Sequence, residues 1–195
     1  GIALALSSPF GVGNSKFRTG VKEDKKYVDT VPFGAFNKEI FDKIGLFNES
    51  MFRNEDVDLN LRIRKSGGKI LLVSDIKVYY LCDTAYVMFK KYFYNGFLVM
   101  EPLLIKKFPF GSRHVIPMIF ILSIIIGIII SFKFSHLPIL ILIFSYFLTN
   151  LYYSISVAKK EKKLMLLFVM PFVFFTFHLC HGVGAIVGFV SVLFR

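Results

Sequence analysis

The chain has 195 residues, 55% of them hydrophobic, and a formal net charge of +11, which is enough length for one domain with a core of its own. Nearly all the charge precedes Ser112, and from Val115 onward the sequence is a succession of long apolar runs. Basic residues cluster just before the first run and in one short loop between runs, a distribution that suits membrane topology better than nucleic-acid binding and points to a membrane protein.

Cys82 and Cys180 lie in different halves without a spacing partner, so neither a disulfide framework nor a zinc site is indicated. The chain opens on "GIALALSSPFGVG" with no signal peptide and no initiator Met, as though inside an existing helix and turn, and the expectation is that an upstream portion is missing. The block "GVGNSKFRTG" is glycine-rich but lacks the Walker lysine pattern, and reads as a flexible substrate-side loop.

The segment "KYVDTVPFGAF" carries aromatic and β-branched residues and predicts a strand ending at Gly34. A short helix follows, with Asn37 as its cap, Ile40, Phe41 and Ile44 as its apolar face and Gly45 as its stop. In "FRNEDVDLNLRIRKSGGKI", residues 52–70, Val57, Leu59, Leu61 and Ile63 alternate with polar residues as in a strand, but the ends argue for a helix. Asn54 is a good N-cap residue, Glu55 and Asp56 complement the helix N-terminus, Arg62 to Lys65 complement the other end, and Gly67-Gly68 stops it. "KILLVSDIKVYYL" then predicts one or two strands, which completes an α/β half over residues 1–85.

Residues 86–113 form a linker whose first part, "YVMFKKYFYNGFLVMEPLLIKK", mixes aromatics with lysines as an amphipathic helix at a membrane interface does. Residues 114–195 make an α-helical membrane domain with spans at 115–132, 137–158 and 164–181. Because Pro171, Gly182, Gly184 and Gly188 interrupt the last stretch, residues 183–194 are a candidate fourth, shorter segment. The loop "SFKFSH" holds only Lys133 whereas "KKEKK" holds Lys159, Lys160, Lys162 and Lys163, so the positive-inside rule puts the second loop and the polar half in the cytoplasm.

An Asp on the first turn of a helix beside a ligand-holding loop is a credible general base. The plainer alternative is that Glu55 and Asp56 cap the helix and pair with nearby Arg or Lys, and both readings stay open at this stage. His178, Cys180 and His181 fall within a turn and a half, a spacing that invites a metal but suits a polar patch packed between spans better.

Four blocks, "GVGNSKFRTG", "YVDTVPFGAFNKEIFDKIGLFNES", "RNEDVDLNLRIRKSGGKI" and "FFTFHLCHGVGAIVGFV", run nearly the length of the chain. Through them it resembles the C-terminal part of a family-2 inverting glycosyltransferase of the GT-A fold, most closely the bacterial exopolysaccharide branch typified by succinoglycan glucosyltransferases. The resemblance implies that Asp56 is the catalytic base, that Glu55 lies beside it in the acceptor pocket, and that Phe33, Gly34 and Ala35, with Phe36, line the acceptor side. It implies a nucleotide-sugar donor such as a UDP-sugar, a lipid-linked or growing glycan acceptor, and a seat in the cytoplasmic membrane. A divalent metal, Mg or Mn, would be held mostly by an upstream Asp-x-Asp motif, since "DVD" at 56–58 sits inside the Glu-Asp block instead of following an apolar strand. The sequence departs from the family where a Gln-x-x-Arg-Trp or Gln-x-x-Arg-Tyr signature is usual and this chain has "KYFYNG"; Lys91 can meet a phosphate there but offers no planar fork. "LCD" at 81–83 stands where Pro-Arg is frequent. With its donor half missing, the piece is expected to be inactive alone, and a non-catalytic membrane subunit of a polysaccharide assembly complex is the alternative.

Overall fold

The computed structural model describes residues 1–49, 51, 53–78, 84–104 and 112–194, with backbone only at 101, 102 and 112. The expected feature at 81–83, the second half of the strand reading beyond Val78, Cys82 and the end of the linker all lie outside those residues. The chain divides into two compact units, Gly1–Asn14 with Leu81–Arg195, and Ser15–Tyr80.

The larger unit is helical: α1 (Ile2–Leu6), α2 (Pro9–Val12), α6 (Ala85–Leu104), a single 3-10 turn (Ser112–His114), α7 (Ile116–Lys133), α8 (Leu137–Glu161) and α9 (Leu166–Leu193). Among the described residues α7, α8 and α9 are the helices long and apolar enough to cross a membrane. Their outward residues, among them Ile119, Ile126, Ile129, Leu140, Phe144 and Phe172, are exposed, as hydrocarbon-facing positions are. The expected fourth segment at 183–194 is instead the last part of α9, which runs unbroken for 28 residues with Pro171 inside it. Its glycines do not end the helix because they are contact points. A Cβ on Gly184 would overlap the Phe93 carbonyl oxygen, one on Gly188 the Phe97 carbonyl oxygen, and one on Gly96 would lie 2.9 Å from Ala185 N.

These three contacts bring the backbones of α6 and α9 together in parallel, since both partners advance by four residues from the first pair to the second. Tyr92 stacks on Phe177 with ring centres 3.8 Å apart at one end of the seam, and Val99, Met100 and Ala185 close the other. The helix expected at 86–107 is thus present as α6, and it lies lengthwise along α9 over more than two turns. On its other side α9 runs antiparallel to α8, where Asn150 Nδ2 donates to the Pro171 carbonyl at 3.1 Å. The first fourteen residues, grouped by sequence with the polar half, pack here: Ala5 and Leu6 join Met170, Phe174 and Phe177 in one buried cluster.

The smaller unit holds α3 (Lys16–Thr19), β1 (Lys25–Val28), α4 (Glu39–Ile44), α5 (Glu55–Lys65) and β2 (Ile70–Val73), the two strands pairing antiparallel with Lys25 opposite Val73 and Val28 opposite Ile70. A complete GT-A domain is not shown by this two-stranded sheet. The strand expected to reach Gly34 stops at Val28, because Pro32 has no N–H to give a ladder and Val31 and Phe36 turn into the core. The block "GVGNSKFRTG", expected as a loop, is divided between α2 and α3, with Ser15 buried between them in sequence. For α4 the stop is as expected, Gly45 ending the helix at φ 78°; the N-cap is Lys38, one residue after the expected Asn37, whose Oδ1 accepts the Glu39 N–H at 3.2 Å.

α5 is a helix, and its C-terminus closes as a Schellman turn, with the Gly68 N–H donating to the Ile63 carbonyl at 2.9 Å and Gly67 N–H to Arg64 at 3.1 Å. The expected side-chain cap at Asn54 is not formed; Asn54 sits in the left-handed region at φ 64° and contributes its carbonyl to the Asp58 N–H. Arg62 joins α5 to α4, pairing with Asp58 at 2.9 Å and donating to the carbonyls of Ile44 at 2.7 Å and Leu46 at 2.8 Å.

Two outcomes follow from these contacts. Gly184→Leu, which places a side chain on the Phe93 carbonyl, should destabilise the detergent-solubilised protein by about 3 kcal/mol, as overpacking does, seen as a lower thermal midpoint. Arg62→Met should cost about 2 kcal/mol by leaving the last carbonyls of α4 without their donor, measured by the loss of amide protection in α4.

Candidate functional site

The site is built on the buried side of α5. Leu59, Asn60 and Ile63 are buried there and Ile70, Val28, Val31 and Phe36 pack around them. Positions 56, 59, 60 and 63 follow i, i+3, i+4 and i+7, one stripe of a helix, so Asp56 stands at the head of the core-facing stripe. That register explains its electrostatics. Burial pushes the Asp56 carboxyl above its ordinary value and the neighbouring Glu55 charge adds to this, while the Val57 N–H, donating to Asp56 Oδ1 at 2.8 Å, opposes it in part.

Both readings of the Glu55-Asp56 pair can now be weighed on geometry. Asp56 takes one first-turn N–H, as a capping carboxylate does, but the basic partner on this helix, Arg62, pairs with Asp58 instead. Glu55 is exposed at the helix start. The half-buried Asp56 is therefore the carboxylate whose surroundings favour taking a proton.

Phe33, Gly34 and Ala35 form a projecting loop whose two feet are fixed to α5. On one side Asn60 Nδ2 donates to Thr30 Oγ1 at 2.7 Å and to the Val31 carbonyl at 2.9 Å. On the other, Phe36 enters the core. Between the feet Phe33 is 85% exposed at φ 52°, a strained backbone for a bulky residue, and Ala35 is exposed. Gly34 has a structural reason of its own, because a Cβ there would meet the Phe36 ring at 2.8 Å. Lys91 is half-buried on α6, in the other unit.

Asn60 and Thr30 were not singled out by sequence. The available signal was the spacing of four between Asp56 and Asn60, which the alternation of Val57, Leu59, Leu61 and Ile63 obscured.

Asp56 and Asp58 do not converge on one ion. On a helix they point about 200° apart, and Asp58 is engaged by Arg62. Among the described residues no three His, Cys, Asp or Glu side chains gather as metal ligands. His178 and His181 have other partners. His178 Nε2 donates to the Phe10 carbonyl at 2.7 Å, so Nδ1 is the acceptor for the Tyr146 hydroxyl at 2.9 Å, and His181 Nε2 donates to the His114 carbonyl at 3.1 Å. Comparison of the chain with protein-family models, curated proteins and solved structures finds no match in any of the three.

A carboxyl whose folded value is raised stabilises the fold in its protonated form. Asp56 therefore contributes stability below its ordinary value of 3.8 and loses it as the pH rises through the elevated folded value. Asp56→Asn should match or exceed the native stability at neutral pH, and should flatten the pH dependence within that window when unfolding is followed by denaturant titration.

Proposed function

We propose that the protein is a membrane-bound inverting glycosyltransferase that moves a sugar from a nucleotide-sugar donor, a UDP-sugar by preference, to a lipid-linked or growing glycan acceptor in polysaccharide synthesis. The observation that carries this reading is Asp56: a half-buried carboxylate with a raised pKa at the head of α5, beside a projecting loop anchored to the same helix. A carboxylate whose pKa is raised is a stronger base toward a hydroxyl proton.

Asp56 removes the proton of the acceptor hydroxyl as that oxygen attacks the anomeric carbon from the face opposite the leaving nucleoside diphosphate, which inverts the centre. Phe33, Gly34 and Ala35 offer an apolar wall and open backbone to the acceptor, and Glu55 a second carboxylate at its edge. The carboxylates of α5 do not fit a divalent ion, so the diphosphate's neutralisation is not assigned to them. Lys91, on α6, carries a positive charge of the kind that can meet a phosphate, and it is not placed against Asp56.

Three helices able to cross a membrane suit an enzyme whose acceptor is lipid-borne. The four lysines of 159–163 favour a cytoplasmic α8–α9 loop and, with it, catalysis on the cytoplasmic side of the inner membrane, where nucleotide sugars are made. A second reading, a non-catalytic subunit of an assembly complex, is favoured by Lys91, Tyr94 and Asn95 standing where a glutamine-arginine-aromatic signature is usual.

In membranes carrying the protein expressed from its complete reading frame, radiolabelled sugar should pass from UDP-glucose or a related donor to acceptor, and Asp56→Asn should reduce it about 10³-fold with insertion unchanged. Equal transfer by both proteins would remove Asp56 from the chemistry, and transfer by neither would leave the subunit reading in its place.

A further inference from the structure

Asn60 is wholly buried, and only one end of its amide is satisfied. Nδ2 is committed to Thr30 Oγ1 and the Val31 carbonyl. A carbonyl oxygen can only accept, so the Val31 contact fixes which end of the amide faces segment 30–31 and turns Oδ1 away from it. Oδ1 has no hydrogen-bond partner among the described residues. A buried acceptor left in this state costs about 1–3 kcal/mol, so any donor that can reach it is favoured.

The helix supplies a candidate. Asp56 lies four residues before Asn60, on the same face, with Cβ atoms about 5–6 Å apart as for any such pair. Its Oδ1 is occupied by the Val57 N–H, which leaves Oδ2. As a carboxylate, Oδ2 is an acceptor and has nothing to offer a second acceptor. As a carboxylic acid, it carries the hydrogen that Asn60 lacks.

We propose that Asn60 is the positioning residue of Asp56: its Oδ1 receives the O–H of Asp56 once that carboxyl is protonated, while its Nδ2 keeps the foot of the Phe33–Ala35 loop on the same helix. The inference rests on the glycosyl-transfer reading for the origin of the proton. The acceptor's O–H bond breaks, its electron pair forms the bond to the anomeric carbon, and the carbon–oxygen pair leaves with the nucleoside diphosphate. The proton ends on Asp56 Oδ2, where Asn60 holds it. One amide thus holds both the foot of the Phe33–Ala35 loop and the protonated product of the base, which favours proton transfer as it completes.

Arg53 lies three residues before Asp56 and Asp29 immediately before Thr30. Glu55 adjoins Asp56 and favours its protonation, and Asp58 is paired with Arg62. The segments packed on this side of α5 present Thr30, Val31, Phe36 and Ile70, none of which is charged.

The test is a carbon NMR titration of the full chain in detergent, with labelled Asp and Asn side-chain carbonyls. In the native protein the Asn60 signal should move with the same midpoint as Asp56. In Asn60→Leu the Asp56 midpoint should fall by about one pH unit, because the acid form loses its acceptor. Thr30→Val removes only a partner of Nδ2 and should leave that midpoint in place. An Asn60 signal that stays still while Asp56 titrates overturns the pairing, and this holds even where Asn60→Leu does not fold. An Asp56 midpoint unchanged or raised in Asn60→Leu overturns it as well. Sugar transfer by the same native protein separates the two ideas: a coupled titration without transfer upholds the pair and removes glycosyl transfer as the source of its proton.

Discussion

The larger unit depends on the contact of two backbones, that of α6 with that of α9. Lipid tails are as apolar as leucine, so burial alone gives helices in a membrane little reason to associate, and close van der Waals approach takes over. Gly96, Gly184 and Gly188 permit that approach, each standing where a Cβ would collide with the opposite main chain. Gly182 does the same against Pro117 and so admits the start of α7. Every other described helix of the unit is placed relative to α9.

Polar groups then fix what the glycines bring near. His178 ties α9 to α2 through the Phe10 carbonyl and to α8 through Tyr146, and His181 ties it to the 3-10 turn before α7. Phe10 lies in the same place, with its ring edge-on to Phe174 and stacked on Tyr153 at 5.0 Å. Asn150, held to the Pro171 carbonyl and bonded by Ser154, does the equivalent work at the α8–α9 seam. Each donor meets an acceptor, so histidines in an apolar setting cost the unit little and select one arrangement of the helices.

In the smaller unit the same economy is incomplete. Arg62 satisfies the end of α4 and the Asp58 carboxylate together, so α5 is held firmly at its centre. The helix's core stripe, by contrast, ends in Asn60 with an orphan oxygen and Asp56 with a desolvated carboxyl. Both features work against stability at neutral pH.

The sequence by itself determined the three long apolar helices, the glycine stop of α4 and the C-terminal stop of α5, because each is a matter of local composition or of one residue's backbone freedom. It could not determine where the buried stripe of α5 lies, since that stripe is half polar and its apolar neighbours alternate like a strand. Nor could it show that α9 continues through Pro171 and its glycines, or that the first fourteen residues pack on that helix. Those outcomes depend on partners distant in sequence, such as His178 with Phe10, Gly184 with Phe93 and Asn60 with Val31, and only the tertiary structure brings such partners together.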